Sequence, residues 1–297
     1  RELVRRGVRA VVLDVRRSPA VAFPELRTVD SVALDVRDRV ALRAALERLN
    51  ARSILHLAAL VGAAAEADPV RAFEVNAVGS AALLEAALEL RLERVVALST
   101  KGVLGPLEAR YLHPHYEPVP EDLEPRPRSI YETTKLAVEA LVRRARGLGL
   151  SAAAVRLATT WGPGKSAESH AGFSVHSDIL AAALAGRSSS LALHPAQGHD
   201  LVYYADVARG LVDLTLAPVL RHPVYHLGSD RITTLGEFAA AVERAFPGVR
   251  VALGSELAGG RACRLSIERA WADAGYAPAY DVAAALADAR AIAAFVG

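Results

Sequence analysis

Apolar residues fall in short runs along this chain, and each early run ends on polar or small residues. Ala10–Leu13 ends at Asp14, Ser31–Leu34 at Asp35, and Ser53–Leu57 at Ala58-Ala59. Arg94–Leu98 ends at Ser99-Thr100, and Ser151–Leu157 is the next run. Between them lie stretches of helical spacing: Val40–Leu49, the Ala/Leu-rich Pro69–Leu90 with Asn76 inside it, and Tyr131–Arg146. Near-continuous apolar strands alternating with helices predict a parallel sheet covered on both faces. Such sheets bind ligands at the carboxyl ends of their strands. Asp14, Asp35, Ala58 and Thr100 all fall there.

The pattern changes after Leu157. Trp161-Gly162-Pro163-Gly164 is a breaker cluster, and 165–177 is a polar loop carrying His170 and His176. Then come a helix over Asp178–Ala185, a strand over Leu201–Tyr204, a helix over Asp206–Leu216 and a strand over Val224–Leu227. Thr234–Ala245 reads as a helix with Thr233 or Thr234 as its cap. The segments around Val249–Leu253 and Asp281–Phe295 read as short. The fold class is therefore α/β: a doubly wound parallel sheet over 1–158, then a smaller α/β region over 159–297, interleaved with the first around 200–228. At the other end, Leu3-Val4-Arg5-Arg6-Gly7 reads as a helix already under way, with Gly7 as its stop. That opening predicts a strand and a glycine-rich turn ahead of Arg1.

Composition narrows the function. The net charge of +2 is too small to point to nucleic acid or an anionic membrane surface. No apolar run reaches the ~20 residues that span a bilayer. The single Cys263 excludes an internal disulfide framework and suits a reducing cytoplasm. Only Lys101, Lys135 and Lys165 are lysines, and two of these sit in motifs.

Tyr131 and Lys135 are four apart, so a helix puts a phenol and an ammonium on one face. Free tyrosine, with a pKa near about 10, is too weakly acidic to act as a base at neutral pH. A nearby cation favours the phenolate and lowers that value. A hydroxyl from the Ser99-Thr100 strand end would hold the substrate oxygen beside it. The set suits alcohol–ketone chemistry, in which a hydride and a proton are moved together.

The ordered series of motifs resembles the extended short-chain dehydrogenases/reductases of the NAD-dependent epimerase/dehydratase type. The likeness runs from Val12-Leu13-Asp14 through Asp35-Val36, His56-Leu57-Ala58-Ala59, Val75-Asn76-Ala77-Val78-Gly79 and the strand end Leu98-Ser99-Thr100-Lys101. It continues through Pro118–Asp122, the Tyr131/Lys135 helix and Asp200-Leu201-Val202-Tyr203 with Asp206-Val207-Ala208. The resemblance implies a Rossmann-like fold with a C-terminal substrate-binding region, NAD as cofactor, and a small-molecule substrate. It implies that Thr100, Tyr131 and Lys135 are catalytic. It places Asp14 on the adenosine ribose, Asp35 and Val36 beside the adenine, and Leu57, Ala58, Ala59 and Asn76 along the cofactor, with Tyr131 and Lys135 at its nicotinamide end. A carboxylate at 14 favours NAD over NADP, and Arg16 and Arg17 read as solvated loop residues. Relatives pair through the two long helices, so a homodimer is expected.

The departures carry information too. The glycine-rich phosphate loop is absent from this sequence. Lys101-Gly102 replaces the Asp-Glu pair of sugar-nucleotide dehydratases, Leu104 a common Tyr, Thr159 an Asn, and His199 an Arg that grips phosphate. Lys165 or Arg187 offers replacement charge. Lys101, Thr159 and His199 are the candidate substrate contacts. The expected activity is interconversion of a secondary alcohol and a ketone on a small sugar, sugar acid or hydroxy acid. A nucleotide-sugar epimerase using transient oxidation is the alternative, and a non-catalytic NAD-binding relative the second. His113, His115, His170 and His176 show no metal-ligand spacing and read as solvated or loop-packing.

Overall fold

The structure, a computed structural model, describes residues 1–15, 26, 29–163, 175–256 and 262–296. Arg16, Arg17, Lys165 and His170 lie outside the described residues. The chain opens on α1 (Glu2–Arg5), β1 (Val11–Asp14) and β2 (Asp30–Ala33). Asp38 then caps α2 (Arg39–Arg48) by accepting from the Ala41 N–H at 2.9 Å. β3 (Ser53–His56) is followed by α3 (Gly62–Ala67), which the apolar pattern does not predict. α4 (Pro69–Phe73) has Pro69 in its first turn and Asp68 as cap. It runs through a π-helical turn, Glu74–Val78, into α5 (Gly79–Glu89), so the expected helix is one rod with a widened turn. The first half closes with β4 (Arg94–Leu98), β5 (Pro118–Val119), α6 (Ile130–Gly147), β6 (Ala152–Leu157) and β7 (Thr159–Trp161).

The second half begins with α7 (Val175–Leu184), which takes His176 out of the expected loop and buries it. β8 (Ser189–Leu193), β9 (Gly198–His199), β10 (Leu201–Tyr203), α8 (Tyr204–Leu216) and β11 (Val224–Leu227) follow. β12 (Thr233–Thr234) leads into α9 (Leu235–Ala245), where Thr234 and Glu237 make a reciprocal capping box. β13 (Val251–Glu256), β14 (Arg264–Leu265), α10 (Glu268–Ala274) and α11 (Val282–Val296) end the chain. The last helix has 15 residues and covers nearly the whole of the segment Asp281–Phe295, a full-length helix where the sequence reads as short.

The main sheet has the order β11-β6-β4-β3, all parallel. Its middle strand shows why the sequence reads as continuous apolar runs. Val95 faces Leu42, Leu83, Val138 and Val142 from α2, α5 and α6. Val96 faces Val207, Leu211 and Leu214 from α8 on the other side. Both valines are fully buried, and such burial contributes about 1.5–3 kcal/mol per side chain. Gly79 lets α5 approach the loop after β2, since a Cβ there would meet Val36 Cγ1 at 2.6 Å. A third core holds Trp161, Tyr203, Phe238, Leu180 and Leu286 beneath the parallel pair β8–β13.

β1 and β2 pair with each other but not with the main sheet. Between β1 and β3 lies a cavity of about 2090 Å³. Val11–Asp14 and Ser53–His56 line it from opposite sides, with Leu42, Leu46 and Leu211 above and below.

α6 carries one buried acid into the core. Glu139 Oε1 and Oε2 accept from Arg156 Nε and Nη2 of β6, both at 2.8 Å, and neither side chain reaches solvent. Ser99 Oγ donates to Glu139 Oε1 at 2.7 Å, and Arg156 Nη1 to Glu121 O at 3.1 Å. A pair this deep costs heavily in desolvation, and removing one partner strands the other charge. Glu139→Leu or Arg156→Met alone should each lower unfolding stability by about 3–5 kcal/mol, and the double variant should lose much less than the two losses added together. Urea denaturation of all four forms measures this; strict additivity would show that the two charges are independent.

Candidate active site

Strand β4 is buried along its length, so its first free polar groups are at its carboxyl end. There Ser99 turns inward and Thr100 outward, half-buried. Thr100 caps a short 3₁₀ turn, its Oγ1 accepting from the Gly102 N–H at 3.1 Å. α6 starts opposite, capped by Ser129, which accepts from the Glu132 N–H. Tyr131 is in its first turn, and Lys135 lies on the same face one turn on. Lys135 Nζ donates to Leu98 O at 2.9 Å and stands 5.9 Å from the centre of the Tyr131 ring. The strand end holding Thr100 and the Tyr131–Lys135 face therefore meet.

The electrostatics differ from the expectation that Lys135 lowers the phenol's pKa. Burial, with the Glu132 carboxylate adding to it, pushes Tyr131 up to about 12. Burial pulls the Lys135 ammonium down to about 8. With Lys135 engaged on a backbone carbonyl, Tyr131 is a neutral phenol over the whole physiological range.

Six of the cofactor residues expected from sequence line the cavity described above: Asp14, Asp35, Val36, Leu57, Ala58 and Ala59. Leu98, two residues before Thr100, lines it as well. Asp14 is exposed at the end of β1, and the small Ala58 and Ala59 leave the backbone after β3 accessible. Asp35 is held by Arg37, accepting from its backbone N–H at 2.9 Å and its Nη2 at 2.7 Å, which lowers its pKa. The opening runs the whole length of the strands, from Ser53 and Arg94 at their amino ends to Ala59 and Leu98, and is lined largely by the inward apolar faces of α2 and α8. Asp14, Ala58 and Ala59 lie at its carboxyl-end rim, where a sheet of this kind binds ligands. No glycine is among the described residues that line the opening.

Asn76 is placed behind this cavity. It is fully buried in the π-helical turn. Its Oδ1 accepts from the Leu60 N–H at 2.8 Å, and its Nδ2 donates to Leu60 O and Thr134 Oγ1, both at 2.9 Å. It braces the loop that follows β3 against α6.

The three candidate substrate contacts are neighbours. Lys101 Nζ donates to Thr159 Oγ1 at 2.7 Å. His199 is held neutral, with its pKa drawn down to about 4 by burial and then by the Lys101 charge. Its ring packs edge-on to His176 at 5.3 Å. Sequence reasoning named the Ser99-Thr100 strand end but missed Glu139 and Arg156 and the inward bond of Ser99 to Glu139. The available signal was the four-residue spacing Tyr131, Lys135, Glu139, which puts an acid on the same helix face. Among the described residues no cluster of three or more His, Cys, Asp or Glu side chains is arranged to hold a metal. No helix among them is long and apolar enough to cross a membrane.

A parallel sheet with helices on both faces and its polar residues gathered at the carboxyl ends of the strands defines a Rossmann-like α/β protein. Residues 1–228 match the NAD dependent epimerase/dehydratase family, and the chain belongs to it. Similar solved structures include a GalE-like L-threonine dehydrogenase from Cupriavidus necator, with TM-score 0.82 and 23% identity, covering 97% of this chain and 93% of that one. The UDP-glucose 4-epimerase of Thermotoga maritima, solved with UDP-glucose, gives TM-score 0.80 and 21% identity over 99% of this chain and 92% of that one. That of Thermus thermophilus, solved with NAD, gives TM-score 0.77 and 25% identity over 99% and 93%. An uncharacterised protein of Sinorhizobium fredii, y4nG, is 26% identical over 94% of this chain and 71% of its own length.

Buried neutral histidines set the response to acid. His56, at the end of β3, has its pKa lowered to about 3 by burial and then by Lys135, and its Nε2 is 2.9 Å from Ser80 Oγ. His226 is lowered by burial and by Arg156. Each is depressed below its unfolded value, so between about pH 6.5 and the folded value the unfolded chain binds more protons. Stability should therefore fall as pH drops through 6.5 toward 4, with His56 alone contributing a slope approaching roughly 1.4 kcal/mol per pH unit. His56→Gln should flatten that slope in urea titrations at pH 7, 6, 5 and 4. An unchanged slope would mean that His56 charges freely in the folded state.

Proposed function

We propose that this protein is an NAD-dependent oxidoreductase that interconverts a secondary alcohol and a ketone on a small hydroxylated substrate such as a sugar, sugar acid or hydroxy acid. The observation that carries this reading is the meeting of the Thr100 strand end with the Tyr131–Lys135 face beside the cavity lined by Asp14, Asp35 and Leu57–Ala59. NAD, when bound, supplies the hydride acceptor or donor. Asp14 holds the adenosine ribose, and Ala58 and Ala59 let the cofactor lie against the backbone. Residues 1–158, with the return through 200–228, carry the cofactor, and the rest of 159–297 mainly carries the substrate. A reducing, cytoplasmic setting suits a chain whose single cysteine, Cys263, is buried and makes no disulfide.

The raised Tyr131 value suits a proton donor. A neutral phenol donates a hydrogen bond to a ketone oxygen and gives up its proton as that oxygen becomes an alcohol. Thr100 Oγ1 orients the same oxygen. Lys135, the nearest cation, stabilises the phenolate left behind. In the oxidising direction Tyr131 must first lose its proton to solvent, and the phenolate beside Lys135 then takes the proton of the substrate hydroxyl as the hydride leaves. Lys101, Thr159 and His199 border the site on the substrate side.

A nucleotide-sugar epimerase is the second reading, supported by the similarity in fold to UDP-glucose 4-epimerases. Lys101, Thr159 and His199 argue against it, because each replaces a residue of the nucleotide-sugar pattern. Two assays separate the readings: NADH formation with L-threonine and a set of sugar acids, and NMR of UDP-glucose incubated with the protein.

Tyr131→Phe should lower turnover at least about 100-fold, the scale of general acid–base catalysis, while NAD affinity by calorimetry stays within about threefold. Turnover close to that of the parent chain would move the proton-transfer role to another residue. For assembly, Val70, Phe73 and Val78 are exposed along the α4–α5 rod, at 71%, 38% and 55%. Leu136 and Leu141 are half-buried on α6. We assign these faces to a homodimer. Light scattering at micromolar concentration should give twice the chain mass, and Phe73→Glu should give the monomer; a monomeric parent chain overturns the assignment.

A further inference from the structure

The strand end at Thr100 is tied to α6 by two bonds from adjacent residues. Lys135 Nζ donates to Leu98 O at 2.9 Å, and Ser99 Oγ donates to Glu139 Oε1 at 2.7 Å. Lys135 and Glu139 are one helical turn apart. Two ties one turn apart on the helix, to consecutive residues of the strand, fix the rotation of the strand end as well as its distance. The Glu139 carboxylate is itself held on both oxygens by Arg156 from the next strand, at 2.8 Å each. Arg143 of α6 adds its charge from the surface at 3.7 Å. Glu139 and Arg156 are completely buried and Ser99 is 3% exposed. A packed apolar pair in their place would be of similar stability or greater. What an apolar pair does not give is direction: the carboxylate aims the Ser99 hydroxyl, and Ser99 is bonded in the chain to Thr100.

We propose that Ser99, Glu139 and Arg156 form a positioning relay, clamping the strand end so that the Thr100 hydroxyl and the Leu98 carbonyl keep a fixed place against Tyr131 and Lys135. Its catalytic purpose rests on the oxidoreductase reading, but the clamp itself is tested without turnover. Errors of about 1 Å in such constellations cost around 100-fold in rate, so a dedicated clamp has a clear use.

With three lysines in the chain, ¹³Cε labelling of lysine gives three NMR signals. Lys101→Arg and Lys165→Arg assign the third to Lys135. The groups facing the Lys135 amine are Leu98 O, the Tyr131 ring and the neutral His56; Glu139, one turn along α6, is held by Ser99, Arg156 and Arg143. In the parent chain Lys135 should titrate near pH 8. Ser99→Ala removes one hydroxyl and leaves the Glu139–Arg156 pair in place. It frees the strand end and admits water to the ammonium, relieving the burial that holds the value down, so the midpoint should rise by about half a unit or more. Ser99→Cys, a weaker donor, should shift it the same way, and Ser99→Thr should restore the parent value. Val142→Ala, a cavity on the same helix, should lower the melting temperature without moving the midpoint. A Ser99→Ala titration that overlays the parent, or a Val142→Ala shift of equal size, overturns the relay. Loss of NADH formation in the parent chain would count against the oxidoreductase reading alone.

Discussion

A parallel strand buried on both faces can show polar chemistry only at its ends, and the architecture of this protein follows from that constraint. β4 has Val95 and Val96 fully buried on opposite sides, so neither face can carry a functional group. Chemistry is displaced to Ser99 and Thr100, where the strand leaves the sheet. The same holds for β3, whose end passes into Leu57–Ala59, and for β1, which ends at Asp14. Helices α2, α5 and α6 on one face and α8 on the other exclude water from the strands, and in doing so they line up the polar ends along one edge.

The price of that arrangement is charge carried into the interior. α6 packs against the sheet with Glu139 and Lys135 on its inward side, and both are almost completely removed from solvent. Glu139 is neutralised by Arg156, whereas Lys135 has only a carbonyl and is driven toward its neutral form. Burial thus acts in opposite directions on neighbouring groups, raising the phenol and lowering the amine. A simple pairing rule, with a cation beside a tyrosine, captures the position of the two residues but not the balance of their charges. Desolvation outweighs the attraction when the amine has another partner.

The strands of the first half were legible because each is short, apolar and stopped by a polar residue. β4 and β11 begin and end where the hydrophobic pattern places them. α3 was not legible, because Gly62–Ala67 is nearly all alanine and has no amphipathic stripe. Neither were β8 and β14, whose partners lie more than sixty and more than a hundred residues away in sequence. Pairing of that kind is decided by tertiary contact rather than local pattern. At the site, residue types and order placed Thr100, Tyr131 and Lys135 together, and six cofactor candidates along one cavity. Asn76 was found but not its direction, and the Ser99–Glu139–Arg156 cluster was hidden because its members lie on three separate elements.

The π-helical turn around Asn76 gives the loop after β3 an unusual attachment. A carboxamide that accepts from one residue's N–H and donates to the same residue's C=O imitates a peptide group, and Asn76 does this to Leu60. The loop is in effect paired as an edge strand would be, with a side chain standing in for the neighbouring backbone. Aspartate, which has no donor, cannot copy the contact, and glutamine is one carbon too long for it. Leu60 is therefore indexed to the rod formed by α4 and α5 rather than to the strand it leaves, and any tilt of that rod would carry the cavity floor with it.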